Sequence, residues 1–207
     1  MTNAIKLNFI DRSNDSSNSD IVFYQKNVAM EFDALAVAWK VIRNCGQGCN
    51  HPFTYPMGME CSASDSWGNF MPRLTCYNGQ MFHVSQAPSG NELSYKGPGT
   101  SSKEVQLQND LVRGAINACI YKDGRLLAVK TAVAPAQKAV FQFKPSLWAS
   151  VVSQVVEGEV MDSAVMSSVT TELSLLGVAA ADIVLTGGGP SKDATSFEFR
   201  LENVVMA

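Results

Sequence analysis

The sequence predicts an all-β protein: an antiparallel β-sandwich, built as one large domain or two small sandwich-like ones, with room for one or two short helices. Three observations carry this. Short segments that alternate apolar and polar residues recur along the 207-residue chain, the pattern of strands with one buried face. Turn-forming dipeptides separate them, Asn78-Gly79 and Asp123-Gly124 most clearly. Hydrophobic residues make up 46% of the chain, enough for a sizeable core at this length.

Ile5, Leu7 and Phe9 alternate with Lys6 and Asn8, which is a half-buried strand. A polar run, Asp11 to Asp20, holds no apolar residue and reads as a loop. Ile21 to Gln25 gives a second strand, and Ala36 to Ile42 a third strand or a short helix. Glycines and prolines punctuate residues 45–72, leaving a short strand within Tyr55 to Ser62. Asn78-Gly79 and Asp123-Gly124 each supply the two positive φ values of a type I′ turn, so both predict hairpins with a fixed register. In the first, Cys76 faces Met81 and Leu74 faces His83. In the second, Lys122 faces Arg125, Tyr121 faces Leu126, Ile120 faces Leu127 and Ala118 faces Val129, with the last two pairs on the core face. Ala139, Phe141 and Phe143 form another strand, as do Trp148 to Val156, Ile183 to Thr186 and Phe197 to Leu201. Val165, Val169, Leu173 and Leu176 fall at helical spacing before Gly177, while the Val and Thr content there makes a strand the competing assignment. Many short strands with regular turns make a sandwich. The Ser-, Gly- and Pro-rich segment 85–104 reads as a linker. It separates an N-terminal β region, residues 1–90, from a C-terminal one, residues 105–207, unless the two form one continuous sandwich. No internal repeat of fixed period is visible.

Charged residues are 17% of the chain and the net charge is −3. No basic block exists, so the electrostatic footprint of a nucleic-acid binder is missing and no nucleic-acid partner is expected. Polybasic anchoring is unsupported, and the apolar stretches are broken well short of a membrane span, so a membrane partner is not expected either. Residues 151–186 carry few charges among small and apolar residues, which keeps a membrane-active, pore-forming-like sandwich as an alternative. The segment Met1 to Lys6 has no signal-peptide pattern, and five cysteines are an odd number. Both point to reduced thiols in the cytoplasm. A weakly charged surface resists close self-contact little.

Soft ligands concentrate in residues 45–83. Cys45, Cys49 and His51 lie on one loop and, with His83, form the candidate copper(I) or zinc set. Against this, no CxxC pair and no zinc-finger spacing is present, and no cofactor is expected. Asp11, Asp15 and Asp20 offer oxygen ligands for calcium but lack the EF-hand pattern. The run Gly187-Gly188-Gly189-Pro190-Ser191-Lys192 is not a P-loop and suits a turn between strands. No nucleophile elbow, Ser-x-x-Lys arrangement or zinc-protease helix makes a convincing site, so the protein is not expected to be an enzyme. Cys76 and His83 share a predicted face without anything to activate the thiol. Among the aromatics Trp39, Trp67, Trp148, Tyr55, Tyr77 and Tyr95, Trp67 stands out. It sits in a polar loop where an exposed indole would want a partner, with Asp65 and Asn69 beside it as hydrogen-bonding groups.

The reading that follows is a non-enzymatic β-sandwich acting by binding or by self-assembly through strand edges. A carbohydrate-binding, lectin-like module built on Trp67 is the main alternative, followed by the membrane-active and soft-metal readings.

Overall fold

The computed structural model describes residues 4–29, 36–161, 170–190 and 194–207. Among these the chain forms sixteen strands and no helix. The all-β expectation therefore holds. Val165 and Val169 of the helical spacing lie outside the described residues, and Leu173 belongs to a strand.

The chain divides into two compact units. The first comprises Met1–Gln25, Ala36–Met57 and Pro145–Ala207; the second comprises Lys26–Leu35 and Gly58–Lys144. The second is thus inserted in the sequence of the first. A division at 90/105 runs instead through the middle of the second unit. The segment 85–104 is not a linker, because most of it is paired strand: β7 (Gln80–Ala87) and β8 (Gly90–Pro98) form a hairpin. Within the segment only Leu93 is buried, and β7 supplies the rest of the hairpin's apolar face. Phe82, Val84 and Leu93 are buried, and Tyr95 lies edge-on to Phe82 at 5.7 Å between ring centroids.

The first unit contains β1 (Ala4–Asp11), β2 (Asp20–Tyr24), β3 (Lys40–Ile42), β4 (Asn50–Pro56), β13 (Ser146–Val152), β14 (Thr170–Ser174), β15 (Val178–Gly188) and β16 (Thr195–Met206). They form two four-stranded sheets, ordered β16-β15-β1-β4 and β14-β13-β2-β3. Aromatic side chains join the two. Phe9 of β1 meets Phe23 of β2 edge-on at 6.1 Å, and Phe23 lies 5.1 Å from Phe53 of β4. Trp39 is fully buried and packs edge-on to Tyr55 at 5.3 Å. The buried Gln25 amide donates to the Tyr55 hydroxyl and to the Ser146 carbonyl, so this polar pair enters the core satisfied.

The second unit contains β5 (Met59–Asp65), β6 (Leu74–Cys76), β7, β8, β9 (Val105–Asn109), β10 (Ile116–Lys122), β11 (Arg125–Val133) and β12 (Lys138–Phe141). Its sheets run β11-β10-β5-β6 and β12-β9-β7-β8. Phe82, Val84, Leu107 and Phe141 are buried on the second of these sheets, and Cys61, Ala118, Ile120 and Leu127 on the first.

Three local expectations change. Neither unit is purely antiparallel: β1 runs parallel to β15, and β7 parallel to β9. Asn78-Gly79 does not close a hairpin. Only Gly79 has positive φ, at 88°, and Gln80 N–H donates to the Tyr77 carbonyl, which describes a type II turn. A type II turn does not continue the strand twist, and β6 and β7 go to different sheets. The facing pairs Cys76–Met81 and Leu74–His83 are therefore not formed. Asp123-Gly124 does form the I′ turn, with φ of 54° and 71°. Its register holds for Lys122–Arg125 and Tyr121–Leu126, then slips by one at Leu127, so that Ile120 faces Ala128 and Cys119 faces Val129. The bulge keeps both Leu127 and Ala128 buried.

The two units share one topology, which their strand orders reveal. Each has one all-antiparallel sheet and one sheet with a parallel pair at its centre. Reading the second unit as β5 to β12, and the first as β13 to β16 followed by β1 to β4, every neighbour and every relative direction corresponds. The first unit is thus a circular permutant of the second. In the second unit Pro98 and Val105 both lie opposite Gln80 and are joined by residues 99–104. In the first, Met206 lies opposite Val178, and Ala4 stands at the same level on the other side, two residues before the Lys6–Ala180 pair. Met206 and Ala4 thus stand where Pro98 and Val105 stand in the second unit.

Candidate functional site

The best-defined surface site lies on the second unit, where two loops meet. The first begins at the end of β5. Asp65 is buried and organises it: Oδ1 accepts the backbone N–H groups of Trp67 at 2.9 Å and Asn69 at 3.0 Å. Its Oδ2 accepts the side-chain amides of Asn69 at 3.1 Å and Asn91 at 2.8 Å. These donors favour the charged carboxylate, and the Asn69 side chain foremost holds its pKa below the usual carboxylate range. Gly68, at φ 86°, completes the turn by donating to the Asp65 carbonyl. Trp67 is left 79% exposed, with Phe70 also projecting outward.

The second loop follows β9. Asn109 is completely buried and pins it: its amide donates to the carbonyls of Gly114 at 2.9 Å and Val133 at 2.8 Å, and its oxygen accepts from Leu111 N–H at 3.1 Å. Ser66 stands against Gly114, where a Cβ would come within 3.1 Å of the serine hydroxyl, so glycine allows the two loops to meet. Between them is a hollow of about 430 Å³ lined by Trp67, Gln86, Asn91, Leu111, Val112 and Arg113. Leu111 is buried and Val112 almost fully exposed. No hydrogen bond or ion pair joins the side chains of Arg113 or Gln86 to another described residue.

Of the three residues singled out in sequence, the structure brings Trp67, Asp65 and Asn69 together. It gives them different work, however. Trp67 faces outward, while Asp65 and Asn69 spend their hydrogen bonds on the loop itself. The polar groups that face the hollow are Gln86, Asn91 and Arg113, which sequence reading did not connect to Trp67. The one local signal was the Asn109–Gly114 stretch, where an Asn and a Gly bracket Asp-Leu-Val-Arg. Trp39 is core, and Trp148 is half-buried and stacked on Tyr24 at 6.4 Å.

The candidate metal ligands are not gathered. Cys45, Cys49 and His51 belong to the first unit and His83 to the second. Burial raises the Cys45 thiol pKa, with Asp11 and Cys49 adding to it, and burial followed by Lys40 lowers that of His51. Nδ1 of His83 lies 2.7 Å from Asp110 Oδ2, which the Lys96 ammonium also contacts at 2.6 Å. Among the described residues no three His, Cys, Asp or Glu side chains converge as a metal site would require. In the 11–20 loop, Asp15 accepts the N–H groups of Ser17 and Ser19, Asp11 accepts that of Ser13, and Asp20 pairs with Arg43. The glycine run closes on its own neighbours: a Cβ on Gly187 would lie 2.1 Å from the Ser196 carbonyl oxygen, and one on Gly188 2.4 Å from the Phe197 ring. Ser191 and Lys192 lie outside the described residues. No helix among the described residues is long and apolar enough to cross a membrane.

Compared with protein-family models, with curated proteins and with solved structures, the chain has no match.

Proposed function

We propose that the chain is a non-catalytic binding protein whose contact surface is the Trp67 hollow, and that its ligand is a carbohydrate. One observation carries this: an indole 79% exposed on a loop that a buried carboxylate holds in place. Exposed Trp67 borders the same hollow as exposed Val112, and an indole face stacks well on the apolar face of a sugar ring. Preorganisation lowers the ordering cost of binding. Gln86 and Asn91 supply amide groups for hydroxyls at the same hollow. A glycan array followed by calorimetric titration tests the reading. Binding that Trp67→Ala abolishes supports it; an array without any bound sugar refutes it. We place the protein in the cytoplasm, a reading supported by its five unpaired thiols.

Self-association is the second reading, and a different observation favours it. β16 is an edge strand, and its end carries the exposed Val204, Val205 and Met206, with exposed Leu176 on the loop before β15. Such an edge can pair with a second copy. Light scattering coupled to size exclusion should show a discrete oligomer that Val205→Lys dissociates. A monomer at all concentrations removes this reading.

A further inference from the structure

The hollow holds one feature that a neutral sugar does not use. Arg113 lines it with no ion pair or hydrogen bond to another described residue. Acidic groups lie close by, but each is committed elsewhere. Asp65 directs its oxygens to four N–H donors, and Asp110, three residues before Arg113, is held by Lys96 at 2.6 Å and His83 at 2.7 Å. An unpaired guanidinium is a planar fork of donors suited to two oxygens of one anion. Here it borders the same space as an exposed indole.

We propose that the ligand is an acidic saccharide, whose ring stacks on Trp67 and whose carboxylate or sulfate is taken by Arg113. This rests on the carbohydrate reading and narrows it. The net charge of −3 offers a polyanion no general attraction, so recognition depends on this local cation. The hollow has one guanidinium and no second basic side chain in its lining, which fits one charge per sugar unit better than a phosphodiester chain. Exposed Val112 and the buried Leu111 give the ring an apolar surround, and Gln86 and Asn91 face its hydroxyls.

The test is calorimetry on the full chain with three probes: trigalacturonate, its neutral methyl ester and a sulfated disaccharide. At least one acidic probe should bind at least about tenfold more tightly than the ester, the worth of one charge-assisted bidentate contact. Arg113→Gln should remove that tenfold difference and leave binding of the ester unchanged, while Arg113→Lys restores part of it. Lys103→Gln, an exposed cation of the same unit, should change nothing, which separates recognition from general charge. Trp67→Ala should weaken every probe. Preference for the sulfated disaccharide over the uronate assigns the anion as sulfate and supports the proposal equally. Equal binding of ester and acids, untouched by Arg113→Gln, overturns the acidic ligand and leaves the carbohydrate reading standing. Failure of all three probes together with an empty array overturns both.

Discussion

Because the first unit is a circular permutant of the second, exchanging their roles should cost little. Joining the chain ends and opening the 99–104 connection gives a chain that starts at β9, runs through β16 into β1, and ends at β8. The eight strands of the first unit then become consecutive, interrupted only by Lys26–Leu35, and the strands of the second are split around them. The geometry sets the linker. Met206 and Ala4 flank Val178 on neighbouring strands, so the gap is two inter-strand spacings, about 10 Å. Pro98 and Val105 flank Gln80 in the same way, and residues 99–104 close that gap. Ala207 with residues 1–3, plus two added glycines, matches that loop length. One short loop is closed and one of equal length opened, so closure entropies nearly cancel and stability should stay within about 2 kcal/mol of the native chain. Urea denaturation followed by circular dichroism measures this. The permutant should keep the strand spectrum and the native m-value, since the surface buried is unchanged. A companion permutant with the same joined ends, opened between Val129 and Lys130 inside β11, should lose stability markedly. If the first permutant fails to fold while the companion folds, or if its m-value collapses, the equivalence of the two units is wrong.

Three further outcomes follow from single side chains. Lys122 is buried, and burial pushes its pKa from 10.5 down to about 8. The unfolded chain therefore holds a proton that the folded one releases between pH 8 and 10.5, and native stability should rise across that window. Below pH 8 the buried ammonium costs about 3 kcal/mol, so Lys122→Met should raise Tm at pH 7 and lose this advantage above pH 10.5. Thermal melts at pH 7 and 10.5 check it; an identical gain at both sinks the argument. Asp65→Ala leaves four N–H donors without their acceptor and should reduce sugar binding as far as Trp67→Ala does, with the strand spectrum intact. Titration of both variants side by side decides this. Gly187→Ala places a methyl group 2.1 Å from the Ser196 carbonyl oxygen at a φ of 87°, and should destabilise the first unit by about 3 kcal/mol. An unchanged denaturation midpoint would refute the close packing there.

Much of this was legible in the residues themselves. The two-residue period of Ile5, Leu7 and Phe9, the turn chemistry of Asp123-Gly124 and the exposed setting of Trp67 are local properties, set by backbone sterics and by the alternation of faces. The period gives the face a residue occupies; it carries nothing about which strand lies alongside. Asn8 donates to Asp182, 174 positions away, across the parallel pair that neither segment announces. The turn at Asn78-Gly79 shows the limit at short range: the same dipeptide chemistry closes a hairpin or sends the chain to another sheet, according to where Phe82 and Cys76 find burial. The two units correspond in strand order and direction, properties of pairing that no fixed period of residues carries. The composition of the hollow was likewise a tertiary decision. Trp67 and Arg113 lie on two separate connections and Asn91 on β8, and only strand pairing and the buried side chains of Asp65 and Asn109 bring them to one surface.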